Sequence, residues 1–394
     1  MRTDLNEALK LVETHTESLK AEYIRIDRSF GMTLAEDVQA LKDYPPFSRS
    51  PYDGYAFRAE DKAFGEKFCV IGESFAGTPF EGTVGKSQAV KIMTGGVIPD
   101  GADCVIPWEK SDRGENVVSI FADPKPFENY IMQGEDFKQG AVLLEKGIKI
   151  GASEAALAVS GGNEKVKVFP KLRAAVISTG DEITEIGKEL KKGKIYDTNM
   201  IYVHFRLNEL GVDTVYMRSV PDDKELLKET FLEACEKSDI VFTTGGVSAG
   251  EKDFVPEILE KIGADIIFKS INIKPGMPTV FSVGRNNVPI VSLSGNPFAA
   301  AVGFELIGRA ALAKRSGDNN FLPKREEALL KNGYNKSSDA ERYVKAYKCG
   351  DYVTIKDSQG NGSLKSMTES NCLVRIPAGT RSLNEGESVE VLYV

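Results

Sequence analysis

A chain of 394 residues, 41% hydrophobic and 27% charged, can bury several cores and is expected to form about two to four domains. No apolar run approaches the roughly eighteen residues of a membrane-spanning helix, and the start MRTDLNEALKLVE is charged rather than signal-like, so the sequence reads as a cytoplasmic protein without a membrane partner. A formal charge of −8 argues against a general nucleic-acid surface; two histidines and five scattered cysteines without a C-x-x-C pair argue against a histidine triad, a multi-histidine metal site or a zinc or dithiol motif.

Asp4 opens a predicted helix with apolar positions Leu5, Ala8, Leu9, Val12 and Leu19 at helical spacing and Glu7 in a capping-box position. From Tyr44 to about Phe137 short β-like runs, Lys67 to Ile71 and Gln88 to Met93 among them, are broken by Gly and Pro and suggest an inserted β-rich domain. Between Arg173 and Ser316 strands and helices alternate. Strands are predicted at Ala174 to Ile177, Val212 to Val220 and Asp239 to Phe242, with further β-like runs at Ile266 to Ile273 and Pro289 to Leu293. Helices are predicted at Thr198 to Leu210, Asp222 to Lys237, Phe254 to Ile262 and from Pro297 onward. Such alternation implies parallel strands with helices on both faces, a three-layer αβα domain. After Lys324 the alternation is lost, and runs such as Tyr343 to Cys349 and Ser388 to Tyr393 point to a small separate β domain.

In an open α/β sheet the ligand crevice lies beyond the carboxyl ends of the strands. Three motifs fall there: Ser178-Thr179-Gly180-Asp181-Glu182, the run from Thr243 through Gly245, Gly246, Ser248 and Asp253, and Leu293-Ser294-Gly295-Asn296-Pro297. Glycines let backbone approach a ligand, Asp and Glu are hard oxygen ligands for magnesium, and Asn296 with Pro297 forms a good helix start whose amides would face an anion. Any metal chemistry would use such oxygen ligands. Lys274, flanked by Pro275 and Pro278, would offset the carboxylates and grip an oxyanion. In the N-terminal half, Asp53 sits between aromatics at a turn, Thr94 precedes two glycines at a strand end, and Glu135-Asp136 adds paired acids.

Taken in order, DGYA at Asp53, KIMTGGVIPDGADCVI from Lys91, GEDFKQGAVLLEKG from Gly134, STGDEI from Ser178, GKIYDTN from Gly193, TTGGVSAGEKDF from Thr243, IKPGMPT from Ile273 and SGNP from Ser294 resemble the molybdopterin molybdenumtransferases, the molybdenum-inserting enzymes that include the E domain of gephyrin. The resemblance runs through nearly the whole chain. It implies four domains: residues 1–43 with 138–172 as an elongated dimerisation domain, 44–137 as the inserted β-rich domain, 173–317 as the αβα molybdopterin-binding domain and 324–394 as the C-terminal β domain. It also implies a homodimer with the active cleft shared between subunits, adenylylated molybdopterin and molybdate as substrates, Mg2+ as cofactor, AMP as leaving group and a molybdopterin adenylyltransferase as donor.

Carried over by position, Asp53, Thr94, Asp136, Glu182 and Asp253 match polar positions tied to activity, and Asp222 or Asp223 matches a further acid. Glu182, Asp222 and Asp253 are expected to hold magnesium. Thr179, Gly180, Gly245, Gly246, Ser248, Lys274, Pro275, Ser294, Gly295, Asn296 and Pro297 are expected to bind substrate or anion. The chain departs from the family where SPYDGYA stands for SAMDGYA and SGNPFA for PGNPVS; Ala299 removes a hydroxyl from the oxyanion neighbourhood. The alternatives are the adenylating sibling enzyme, a nucleotide amidohydrolase of the competence-damage type, and a non-catalytic scaffold.

Overall fold

The computed structural model describes residues 2–64, 66–247 and 253–394, and the chain divides into two compact units. The first comprises Met1–Glu22, Gly31–Ala35 and Val168–Val394; the second comprises Tyr23–Phe30 and Glu36–Lys167.

At the centre of the first unit is a six-stranded sheet in the order Asp213–Val220, Arg173–Thr179, Ile240–Thr244, Pro289–Leu293, Val280–Val283 and Asp265–Phe268. The first four strands are parallel to one another. Val280–Val283 runs antiparallel to both its neighbours, so the expected all-parallel sheet is mixed at one side. The reason is local: Val280–Val283 and Pro289–Leu293 are joined by a short turn around Arg285–Asn287, too short for a helical crossover. Alternate residues of the central strands enter different cores. Ala174, Val176, Ile240, Phe242, Val291 and Leu293 pack on one face, and Ala175, Ile177, Val241 and Ile290 on the other, as strands covered on both faces require.

The first helix spans Leu5–His15, capped by Asp4, which accepts from the Asn6 amide. It stops before Leu19, whose amide instead donates to the Arg315 carbonyl. Leu5, Ala8 and Val12 enter the core of the α/β sheet, and Met1–Glu22 belongs to that unit together with Gly31–Ala35.

The predicted run Ile266 to Ile273 is two strands, not one. Asp265–Phe268 closes the α/β sheet, whereas Ile273–Lys274 joins the C-terminal sheet, pairing in parallel with Glu341–Cys349 so that Lys274 lies opposite Arg342. That sheet has its own core, including Leu330, Val344, Val374 and Val391.

The second unit carries a five-stranded sheet in the order Cys104–Pro107, Gly54–Phe57, Gln88–Ile92, Lys67–Ser74 and Val117–Ser119, with Tyr55, Phe57, Phe68, Ile106 and Val118 in its core. Among the described residues no helix is long and apolar enough to cross a membrane.

Candidate active site

The three glycine-bearing turns of the α/β sheet sit side by side because their strands are neighbours in register. Ser178 pairs with Thr244, and Thr244 with Leu293. The Gly245 amide donates to the Leu293 carbonyl at 3.1 Å. Gly245 has φ +88°, and a Cβ there would lie 2.2 Å from the Thr179 carbonyl oxygen, so only glycine lets these two turns meet. Across the same crevice the Cα of Gly245 lies 3.7 Å from where a Cβ on Gly295 would be, and the Gly295 carbonyl accepts from Asn199 at 2.8 Å. Thr179, Gly180, Gly245 and Gly295 are thus gathered at one edge, while Ser248 lies outside the described residues.

Carboxylates are arranged around this edge. Thr179 Oγ1 donates to Asp222 at 2.8 Å, and the Asp181 and Asp222 backbone amides each donate to the other's carboxylate at 3.3 and 3.2 Å. Glu182 is exposed and folds back over Gly180, where a Cβ would lie 2.7 Å from Glu182 Oε2. Asp253 is half-buried beside the segment whose Val255 amide donates to the Gly246 carbonyl. Asp223 turns away to cap the helix Lys224–Lys237, accepting from the Leu226 amide at 2.8 Å, so Asp222 is the acid that faces the crevice. The predicted helix is therefore two residues shorter at its start. Buried Asp197 receives Ser178 Oγ and caps Thr198–Glu209 through the Met200 amide; sequence reasoning quoted the YDTN motif but gave this carboxylate no role. Among the described residues no three His, Cys, Asp or Glu side chains are grouped to hold a metal. A magnesium ion at this edge would rely on one or two carboxylates and take its other ligands from phosphate and water, which is the ion's ordinary coordination.

Lys274 and Pro275 line a different depression, a cleft of about 480 Å3 between the Ser294–Asn296 turn and the start of Glu341–Cys349. Three cationic side chains, Arg2, Lys274 and Arg342, line it together with Ser294, Asn296 and Asn361, and among the described residues no Asp or Glu does. Lys274 is exposed. Arg342 donates through Nη1 to Tyr334 at 3.2 Å, while its buried Nε has no hydrogen-bond partner among the described residues. Tyr343, also lining the cleft, donates to Glu341 at 2.5 Å, and burial first, then that bond, pushes its phenol pKa up. Arg2 and Arg342 were not singled out from the sequence: Arg2 stands in no motif, and Arg342 is brought in only by the pairing with Lys274.

Asn296 occupies the N-cap position of Pro297–Gly303 but its side chain makes no capping bond. The Ser294 hydroxyl accepts the Asn296 amide at 3.3 Å, and the Phe298 amide donates to the Asn361 carbonyl at 2.9 Å. One helix-start donor expected to face an anion is therefore already used.

In the second unit, Gly54 pairs with Ile92 across the sheet, which places the residues just beyond those ends together. Asp53 Oδ1 accepts from the Thr94 amide at 2.7 Å and from Thr94 Oγ1 at 2.9 Å. Asp136 is exposed on a turn whose backbone pairs with Tyr44.

Three family models divide the chain: the MoeA N-terminal region (domain I and II) matches residues 3–162, the probable molybdopterin binding domain 175–314, and the MoeA C-terminal region (domain IV) 327–394. A molybdopterin molybdenumtransferase of Staphylococcus epidermidis is 35% identical over 98% of this chain and 94% of its own length. One from Staphylococcus aureus is 33% identical over the same shares. The crystal structure of a molybdopterin biosynthesis MoeA protein from Pyrococcus horikoshii superposes with a TM-score of 0.87 at 32% identity, covering 100% of this chain and 99% of that one. The chain belongs to the MoeA family of molybdopterin molybdenumtransferases. It is therefore a transferase of molybdenum cofactor biosynthesis, with the family's N-terminal domains, α/β domain and small C-terminal β domain. Of this MoeA chain's departures from the family pattern, Ala299 and Ser294 both line the cationic cleft, so a hydroxyl is absent at position 299 and one is present at 294.

Proposed function

We propose that the enzyme ligates molybdate to the dithiolene of adenylylated molybdopterin while the phosphoanhydride is cleaved and AMP leaves. The observation that carries this reading is the separation of charge about the Ser294–Asn296 turn. On one side lies a cleft with three cations and, among the described residues, no lining carboxylate; on the other is Asp222, which accepts from Thr179 and from the Asp181 amide at the glycine turns. A tetrahedral dianion fits the first, where Lys274 and Arg342 donate charge-assisted hydrogen bonds. The pterin phosphate fits the second, where glycine backbone permits close approach.

Of the expected acids Glu182, Asp222 and Asp253, one or two would hold magnesium, which when bound would neutralise phosphoanhydride charge. Thr179 orients Asp222 through its hydroxyl, and the Asp181 amide holds the same carboxylate from the other oxygen. Asp53, fixed by two donors from Thr94, and Asp136 are assigned to the same reaction from the second subunit of a homodimer. A molybdopterin adenylyltransferase is the proposed donor, and the cytoplasm the proposed compartment.

Purified protein incubated with adenylylated molybdopterin, Mg2+ and molybdate should release AMP and yield a product that reconstitutes an apo-molybdoenzyme. AMP release without reconstitution, or neither, would remove the proposed reaction.

A further inference from the structure

Two of the expected acids stand at the starts of neighbouring helices. Asp222 lies two residues before the helix Lys224–Lys237, and Asp253 two residues before Val255–Lys261. The two helices share a core that includes Leu227, Phe231, Val255 and Ile258. At the ends that carry the acids they are joined a second time, by one side chain. The Lys224 ammonium donates to Glu257 Oε2 at 2.6 Å and lies 4.6 Å from the centroid of the Phe254 ring.

That contact spans both acid-bearing segments. Lys224 follows Asp222 by two residues, and Phe254 follows Asp253 directly. Asp222 is fixed to the glycine turns by Thr179 and the Asp181 amide, and the Asp253 segment by the Val255 amide on the Gly246 carbonyl; Lys224 reaches from the first to the second. Glu257 also pairs with Lys261 at 3.0 Å, but that pair lies within one helix. The Lys224 and Glu257 side chains are 41% and 42% exposed, so their pair adds little to global stability. A cation this close to metal-binding acids would by charge alone oppose a metal ion, so what Lys224 contributes to such a site is geometry.

We propose that Lys224 is a positioning residue for the metal-binding acids: by pairing with Glu257 and stacking on Phe254 it holds the Asp253 segment against the Asp222 turn, so that the two carboxylates serve one divalent cation. This rests on the reading of Asp222 and Asp253 as acids from which magnesium takes its ligands. Lys224 acts on them through Glu257 and Phe254, not on the metal or the substrate directly.

The test is titration of the full-length protein with Mn2+ alone, an ion that shares magnesium's preference for oxygen ligands, with free and bound ion distinguished by electron paramagnetic resonance. The sign of the change decides. A lysine acting only as a charge would, on replacement by Gln, leave Mn2+ bound more tightly, because a repelling cation is gone. As a positioning residue, Lys224→Gln is expected to weaken Mn2+ about fivefold, the combined worth of an exposed ion pair and an exposed cation–π contact. Lys224→Arg, which keeps charge, pair and stack, should bind Mn2+ like the parent, and Lys261→Gln, which removes a cation from the same Glu257 within one helix, should not weaken it. An unchanged denaturant midpoint, expected of an exposed pair, excludes a folding defect in Lys224→Gln. Should the midpoint fall, Phe254→Leu, which leaves every charge in place and removes only the ring, replaces it and is expected to weaken Mn2+ about threefold. Unchanged or tighter Mn2+ binding in Lys224→Gln overturns the proposal, as does an equal loss in Lys261→Gln or an Arg variant as weak as the Gln variant. Asp222→Asn is measured alongside: if the parent binds no Mn2+, or Asp222→Asn leaves its binding unchanged, the metal reading of these acids falls and the proposal with it, whereas a loss there with none in Lys224→Gln overturns only the positioning role.

Discussion

Replacing Gly245 by Ala tests whether the glycine turns are a built crevice or ordinary strand ends. Gly245 has φ +88°, and its added Cβ would lie 2.2 Å from the Thr179 carbonyl oxygen, a backbone atom that cannot rotate away. Gly211 is the internal control: φ +78°, with nothing within 4 Å of its Cβ. Alanine at Gly211 should therefore cause only the left-handed backbone penalty, about 1 to 2 kcal/mol. At Gly245 the same penalty is joined by overpacking of about 1 to 3 kcal/mol, so the difference between the two variants is about 2 kcal/mol. The displaced Thr179 carries the hydroxyl that holds Asp222, so Gly245→Ala should also lose AMP release while Gly211→Ala keeps it. Denaturant unfolding of both proteins, followed by AMP release under saturating substrate, reads the two effects. If Gly245→Ala is no less stable than Gly211→Ala and equally active, the close approach of the turns does not control the site.

Lys274→Gln should raise the apparent molybdate requirement about tenfold, the lower part of the range for a hydrogen bond to a charged group because the ammonium is exposed. High molybdate should rescue it but not Glu182→Gln; unchanged molybdate dependence would move the oxyanion elsewhere. Mixing inactive Asp53→Ala and Glu182→Ala proteins should restore partial activity through hybrid dimers, and no recovery despite subunit exchange shown by mass would end the shared-cleft reading. Glu305, fully buried between Arg206 at 2.8 Å and Arg309 at 3.0 Å, should cost about 3 to 5 kcal/mol when changed to Gln, since Arg309 loses its anion and Arg206 keeps only the exposed Glu209; a change in unfolding free energy under about 1 kcal/mol would contradict that. Burial lowers the Lys345 pKa, so between its folded and unfolded pKa values the unfolded chain binds more protons and stability rises with pH. The stability of Lys345→Met relative to the parent should therefore decline as pH is raised from neutrality through the folded pKa of Lys345 towards 10.4, the ordinary lysine value; a flat difference would mean that the ammonium is not under strain from burial.

The parts of the fold legible in the sequence are those governed by local pattern. The parallel strands Arg173–Thr179 and Ile240–Thr244 contain the short apolar runs Ala174 to Ile177 and Ile240 to Phe242, and Gly211, at φ +78°, ends the preceding helix as its position suggests. Strand direction at the sheet's other side is not a local property. Val280–Val283 was hidden because its polar Ser282 interrupts the run, yet the Ser282 side chain is buried in the sheet. Asp222 and Asp223 are equivalent as letters; only the helix start, which consumes Asp223 as its cap, separates them.

The cationic cleft shows the same limit more sharply. Lys274 was visible because a KPG motif announces it, and its placement among the carboxylates of the α/β domain was the natural inference from chain order. Ile273–Lys274 instead leaves that sheet and pairs with the C-terminal one, a contact across about seventy residues of sequence for which two paired residues offer no periodic signal. The consequence is functional. A cation left beside Asp222 would be neutralised locally, whereas one set opposite Arg342, with no acid in the lining among the described residues, would retain its field for an incoming anion. On the proposed reading the short strand sets which charges the substrate meets, and Ser294–Asn296, touching the glycine turns through Gly295 and the cleft through Ser294 and Asn296, is a segment that both anions would share. A substitution such as Asn296→Ala, which alters that shared segment without adding or removing charge, should shift molybdate and pterin dependence together, whereas Lys274→Gln shifts molybdate alone. Independent responses to Asn296→Ala would show that the two sides of the turn work as separate sites.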